Sequence, residues 1–173
     1  MIINNNIQNN LNTQILNTQI LNNNKYVLWF HANDNEKWDI SSYIKILECF
    51  DLNDICIILK LFNNINYGMF FYMKNDCIPI WEDKSYSNLS FWTFKVSKNE
   101  SKLLWEELIY YISFNSIFKD KELNKYLIGL SVSPKINNSI FKIWINNSDL
   151  NSVTIFREDL INIDLNQGLF RNI

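Results

Sequence analysis

Two tryptophans in this chain sit in no apolar run that would explain them. Trp38 follows Asn33-Asp34-Asn35-Glu36-Lys37, and Trp81 follows Ile78-Pro79-Ile80 and directly precedes the acidic pair Glu82-Asp83. An indole held in a loop offers flat π faces to a planar or cationic ring. A carboxylate beside it can accept charge-assisted hydrogen bonds from the N–H groups of such a ring. The other reading of Glu82 is a solvated loop carboxylate.

Chemistry of other kinds has no residues to carry it. P-loop, GxGxxG, GxSxG and HExxH patterns are missing from the sequence, which points away from an enzyme and names no cofactor. The single histidine, His31, has no partner motif and reads as a surface or strand-end residue. Cys49, Cys56 and Cys77 are odd in number and lack CxxC spacing, so neither a disulfide framework nor a zinc site is expected, and a reduced intracellular compartment fits best.

These residues have to be positioned by a chain of 173 residues, 47% hydrophobic and 20% charged, which is enough for one well-packed core and hardly enough for two. There are 29 Asn, 26 Ile, 14 Lys and 2 Arg, with 3 Gly and 2 Pro, a bias expected of coding DNA rich in A and T. The single Trp codon runs against that drift. The six tryptophans, Trp29, Trp38, Trp81, Trp92, Trp105 and Trp144, are therefore informative. A formal net charge of −2 argues against coating nucleic acid by bulk electrostatics, so any such contact must be local. No run approaches a membrane span, and the N-terminus lacks the basic region of a signal peptide; a soluble protein is expected.

Residues 1–24 carry no charge and contain a direct repeat, Asn12-Thr13-Gln14-Ile15-Leu16 and Asn17-Thr18-Gln19-Ile20-Leu21. They read as a low-complexity tail that is disordered or partly forms an amphipathic helix, ahead of a single domain over 25–173. Within that domain, Tyr26 to Phe30, Ile44 to Phe50, Met69 to Met73, Phe91 to Val96, Tyr126 to Ser133 and Ile140 to Ile145 read as strands. Ile55, Ile58, Leu59, Phe62 and Ile65 form one helical face over 52–65. Leu104, Trp105, Leu108, Ile109 and Ile112 form another, preceded by Ser97-Lys98-Asn99-Glu100 in the form of a capping box. A weaker third helix is expected around Val153 to Leu160. The fold class is α+β, with one sheet carrying its helices on one face and leaving the other free for a ligand. Trp29, Trp92 and Trp105 lie inside apolar runs and read as core.

Pro79-Ile80-Trp81-Glu82-Asp83, together with Trp29-Phe30, Trp38, Trp92, Trp105, Gly129 and Ile143-Trp144 at their spacings, resembles the eukaryotic translation initiation factor 4E family of messenger-RNA cap-binding proteins. The resemblance runs from about Lys25 to about Asp159. It implies a curved antiparallel sheet with about three helices on the convex face and a cap pocket on the concave side. Trp38 and Trp81 match the residues that stack on the 7-methylguanine base, Glu82 the residue that hydrogen-bonds the guanine edge, and Trp144 the residue near the N7 methyl. Lys135 stands where the family has a phosphate-binding Arg, keeping the charge without the bidentate fork. The second basic position is Ile140, for which Lys142 on the same strand face can substitute, and the basic residue expected before Trp92 is Phe91. Lys84 and Lys95 are further candidates, each otherwise a solvated lysine.

The family also binds scaffold proteins and repressors through the first helix, where its Trp aligns with Cys56; Leu59 and Lys60 lie on the same face. The expected partners are capped messenger RNA and an initiation-factor 4G-like scaffold with an altered interface, the protein being a cytoplasmic monomer. The family's late loop near the second nucleotide is expected to be shortened or missing. The function implied is cap binding in translation initiation. Alternatives are a cap-binding repressor or decoy, and an interaction module that kept the fold but lost the cap.

Overall fold

The computed structural model describes residues 25–61 and 67–173. The Asn-rich tail 1–24, and the expected helical positions Phe62 and Ile65, lie outside the described residues. Seven strands form one curved antiparallel sheet: β1 (Tyr26–Ala32), β2 (Ile44–Cys49), β3 (Gly68–Lys74), β4 (Leu89–Ser97), β5 (Leu127–Pro134), β6 (Asn138–Asn146) and β7 (Leu169–Asn172). Their spatial order is β2-β1-β3-β5-β6-β4-β7. Six match the expected strands within a residue or two at each end. The seventh, β7, is new: it pairs Phe91 with Arg171 and Trp92 with Phe170, covering the outer edge of β4.

Among the described residues two α-helices lie against the sheet, α1 (Leu52–Leu61) and α2 (Lys98–Ser113). Asp51 starts α1 by accepting from the N–H groups of Asn53 and Asp54 at 2.8 and 3.0 Å, while the Asp54 carboxylate reaches back to the N–H of Phe50 at 2.8 Å. This reciprocal arrangement satisfies donors that a helix leaves open. The expected capping box at α2 takes another form: the Ser97 hydroxyl donates to the Glu100 carboxylate at 2.7 Å and makes no cap bond to the backbone. At its other end Asn115 adopts φ 49°, and the N–H groups of Asn115 and Ser116 bond the carbonyls of Ile112 and Tyr111. That is a Schellman stop, with Asn in the left-handed position that it tolerates better than most residues.

The third helical segment takes the form of one 3-10 turn, Val153–Ile155, rather than an α-helix through Leu160. The chain then extends, because Phe156 bridges to Phe118 and the Arg157 guanidinium lies 3.9 Å over the Tyr111 ring while donating to the Ser116 carbonyl. Phe156 and Leu160 are nonetheless buried in the core.

That core lies between the helices and the sheet. Leu104, Trp105, Leu108, Ile109 and Ile112 of α2 are fully buried with Ile58 of α1, Tyr26, Tyr72, Leu130, Phe141 and Ile143. Two tyrosines tie the sheet to α2: Tyr26 donates to the Ile112 carbonyl at 2.8 Å, and the Tyr72 hydroxyl is hydrogen-bonded to that of Ser113 at 2.9 Å. A second, smaller cluster occupies the opposite face, with Tyr43, Phe71, Met73, Phe91, Ile128 and Trp144 buried and Trp29 packed against them. Alternation along β3 divides the two, since Phe70 and Tyr72 join the first cluster and Phe71 and Met73 the second. Gly129 lets the middle strands approach: a Cβ there would come within 2.5 Å of the Tyr72 carbonyl oxygen.

Candidate functional site

The concave face carries the site. Antiparallel register lines up Trp29, Phe71, Ser131 and Lys142 across β1, β3, β5 and β6. Residues directly opposite on neighbouring strands share a face. Over this row opens a cavity of about 360 Å³, within the range of small-ligand pockets. Its floor is aromatic and its rim carries two lysines, Lys135 and Lys142.

Trp38 and Trp81 arrive on different loops, the first between β1 and β2 and the second between β3 and β4, and both line this cavity. They are 51% and 50% exposed, so each indole keeps about half its surface for a ligand. The Trp81 loop is shaped by Asp83, which accepts from the Ser85 N–H at 2.8 Å, and by Tyr86, whose hydroxyl donates to the Ile78 carbonyl at 2.6 Å. Pro79 presses against the cavity on the same loop.

Glu82 is exposed next to Trp81, beside the cavity rather than in its wall, and has no hydrogen-bond or ion-pair partner among the described residues. Its charge nevertheless reaches the site. Burial pushes the Tyr43 phenol up to about 12, and the Glu82 carboxylate adds to that rise. Asp83 is committed to its own turn, which leaves Glu82 as the free acceptor of the pair.

Trp144 is 4% exposed and lies in the cavity floor, where its Nε1 donates to the Ser131 hydroxyl at 2.9 Å and its ring meets Phe91 edge-on at 4.8 Å. Lys142 is half-buried with its Nζ 5.1 Å over the Phe91 ring. Burial lowers its pKa, and the positive charges of Arg171 and Lys135 lower it further. Lys135 and Lys142 share the cavity lining, and Arg171 stands across from Phe91, the ring over which Lys142 lies. Ile140 lines the cavity without a charge; Lys95 faces it across β4 outside the lining, and Lys84 is exposed in the Trp81 loop.

Several members of the site carry no sequence signal. Tyr43, Phe71 and Ser131 became visible once register was known. Arg171 depends on β7. His31 is at a strand end as expected but fully buried rather than on the surface, stacked on Trp38 with ring centroids 4.3 Å apart. Trp92 and Trp105 are core, as expected, whereas Trp29 is partly buried on the concave side, under the Lys45 ammonium.

On the opposite face, Cys56 and Lys60 of α1 are exposed and Leu59 packs against the core. They belong to a surface separate from the cavity. Among the described residues no cluster of His, Cys, Asp and Glu could hold a metal ion, and no helix is long and apolar enough to cross a membrane.

The family described as Eukaryotic initiation factor 4E matches residues 21–168. No curated protein matches the chain. Among solved structures, a schistosome eIF4E complexed with m7GpppA and 4E-BP is 16% identical, with a TM-score of 0.65 over 74% of this chain and 72% of that one. Ascaris suum eIF4E-3 with an m2,2,7G cap is 18% identical, with a TM-score of 0.61 over 71% of each chain. C. elegans eIF4E-3 with the 4E-binding protein Mextli is 17% identical, with a TM-score of 0.63 over 72% of this chain and 74% of that one. At such identities the likeness speaks to the fold.

Proposed function

The chain belongs to the eukaryotic initiation factor 4E family, and from that premise we propose that it binds the 7-methylguanosine cap at the 5′ end of messenger RNA and acts in translation initiation. The observation that carries this reading is the pair of half-exposed indoles, Trp38 and Trp81, on two loops around one aromatic-floored cavity. N7-methylated guanine is a flat ring with a delocalised positive charge. Sandwiched between the indoles it gains stacking and cation–π attraction, worth about 1 to 3 kcal/mol per base contact.

Glu82 supplies what stacking lacks. Its free carboxylate accepts from the guanine N1 and N2 groups and offsets the ring's charge, which only guanine satisfies among the bases. Trp144 closes the floor near the N7 methyl. The phosphate chain runs along Lys135 and Lys142. The protein works as a cytoplasmic binding module, and no step of chemistry is assigned to it. Its second partner is a scaffold of the 4E-binding kind, contacting α1 around Cys56, Leu59 and Lys60 through an interface altered from the family's Trp-containing one.

The test is a fluorescence titration of the full chain with a 7-methylated GTP cap analogue against unmethylated GTP. Saturable quenching by the methylated ligand alone, abolished by Trp81→Ala and strongly weakened by Glu82→Ala, supports the proposal. Equal responses to both ligands overturn it.

A further inference from the structure

The Trp38 loop returns across the end of β1, and one side chain meets it there. His31 is fully buried, and its backbone pairs with Met69 of β3, so the imidazole is anchored in the sheet rather than in the loop. Its ring lies parallel to the Trp38 indole, 4.3 Å between centroids and 6° between planes. Tyr43 also packs on it, at 4.8 Å with a 59° tilt. Nε2 lies 2.7 Å from the Lys37 carbonyl oxygen. A carbonyl only accepts, so Nε2 carries the proton, and the residue immediately before Trp38 is clamped to the ring on which Trp38 rests. The other bonds of the loop among the described residues are local: before Trp38, from the Asn35 N–H to the Ala32 carbonyl at 3.2 Å and from the Lys37 N–H to the Asn35 side chain at 3.0 Å, and after it, from Ser41 and Ser42 to Asp39 and from the Tyr43 N–H to the Ile40 carbonyl.

We infer that His31 is a positioning residue for ligand binding, holding the Trp38 indole in its stacking attitude before the ligand arrives. The inference rests on the cap-binding reading for its consequence, since a ligand then stacks on the Trp38 face that His31 does not cover. The imidazole supplies two restraints at once, a ring beneath the indole and a hydrogen bond to the preceding peptide. Either alone leaves the loop a freedom that the ligand must remove, at a cost in affinity. A phenyl ring in place of His31 would keep the stack and lose the clamp; an amide would keep a donor and lose the stack.

The experiment has two arms on the full chain. Without ligand, acrylamide quenching of Trp38 is isolated by subtracting the Trp38→Phe protein; His31→Ala raises its accessibility, and His31→Phe and His31→Gln each restore part of the protection. With the methylated cap analogue, His31→Ala weakens binding by about tenfold, the weight of a stacking contact, and the Phe and Gln variants fall between. Ile109→Val, in the core of α2, controls for stability: its binding stays at the wild-type level at equal or greater loss of thermal midpoint. Unchanged Trp38 quenching in His31→Ala overturns the inference, as does wild-type affinity in that variant. A wild-type protein that ignores the cap analogue overturns the cap-binding proposal instead, and the ligand-free arm still decides whether His31 holds Trp38.

Discussion

The indole N–H of Trp144 and the hydroxyl of Ser131 meet at 2.9 Å across two neighbouring strands, beneath the cavity. Both groups are buried, so the bond removes a polar cost from the floor of the site. Ser131→Ala leaves the indole donor without its partner and should destabilise the protein by about 1 to 3 kcal/mol. Urea denaturation measures the loss. Ser131→Thr, which keeps the hydroxyl, should recover much of it.

Trp105 and Trp38 differ in exposure, and the cap-binding proposal assigns only Trp38 of the two to the ligand. Trp105 is fully buried, and Trp105→Ala should cost about 3 to 5 kcal/mol. Trp38 is half-exposed, and Trp38→Ala should cost less than about 1 kcal/mol in unfolding free energy while removing cap-analogue binding. Equal losses of stability in the two variants would contradict that assignment.

Lys142 is a cation lodged against apolar surface with other cations near it, and its pKa is lowered in the folded protein, by burial first and then by Arg171 and Lys135. At neutral pH the lysine is charged in both states, so the folded state bears the full penalty, which fades as pH rises through the lowered folded value toward the unfolded one. Lys142→Met should therefore stabilise the chain at pH 7, with the advantage shrinking in alkaline solution. Binding should move the other way: the variant weakens the cap triphosphate analogue, and the slope of log affinity against log salt falls by about one.

On the outer face, Cys56 is exposed and flanked by exposed Ile57 and Lys60. An indole there supplies the kind of anchor that most often dominates a helix-docking surface. Cys56→Trp should bind a 4E-binding peptide at least about tenfold more tightly than the wild type, a gain of about 1.4 kcal/mol. Calorimetry with the peptide decides it, and a tight wild-type complex would show that the altered face was never weakened.

Helix α1 presents that face, and its start depends on Asp51, which accepts from two backbone donors. Asp51→Ala should cost about 0.5 to 2 kcal/mol. Hydrogen exchange should show the loss first in the amides of Asn53 and Asp54.

How much of this was legible beforehand varied with the kind of signal. Strands with β-branched and aromatic runs, such as Tyr26–Ala32, announce themselves, and so does the face of α2 built from Leu104, Leu108 and Ile112. Leu169–Asn172 does not: four residues carry no period, and the strand exists because β4 offers it an edge. Around Val153 the apolar spacing was real, since Val153, Ile155, Phe156 and Leu160 all reach the core, but they do so through one 3-10 turn, the bridge at Phe156 and a turn at Glu158 and Asp159. Trp38 and Trp81 stood out because neither sits in an apolar run that would explain it, and Glu82 because it adjoins Trp81. His31 did not, because a lone imidazole gains meaning from the ring beside it, and that ring is seven residues away across a turn.

Strand β3 alternates between the two apolar clusters, Phe70 and Tyr72 facing the helices and Phe71 and Met73 the other side, where Met69 and Phe71 line the cavity. Parity along one strand thus separates two selective pressures. Even-numbered Phe70 and Tyr72 belong to the core and odd-numbered Met69 and Phe71 to the pocket wall, so on the cap-binding proposal the pocket can drift toward a new specificity by substitution at Phe71 while the core stays as it is. A one-residue insertion in the same strand would exchange the two sets together.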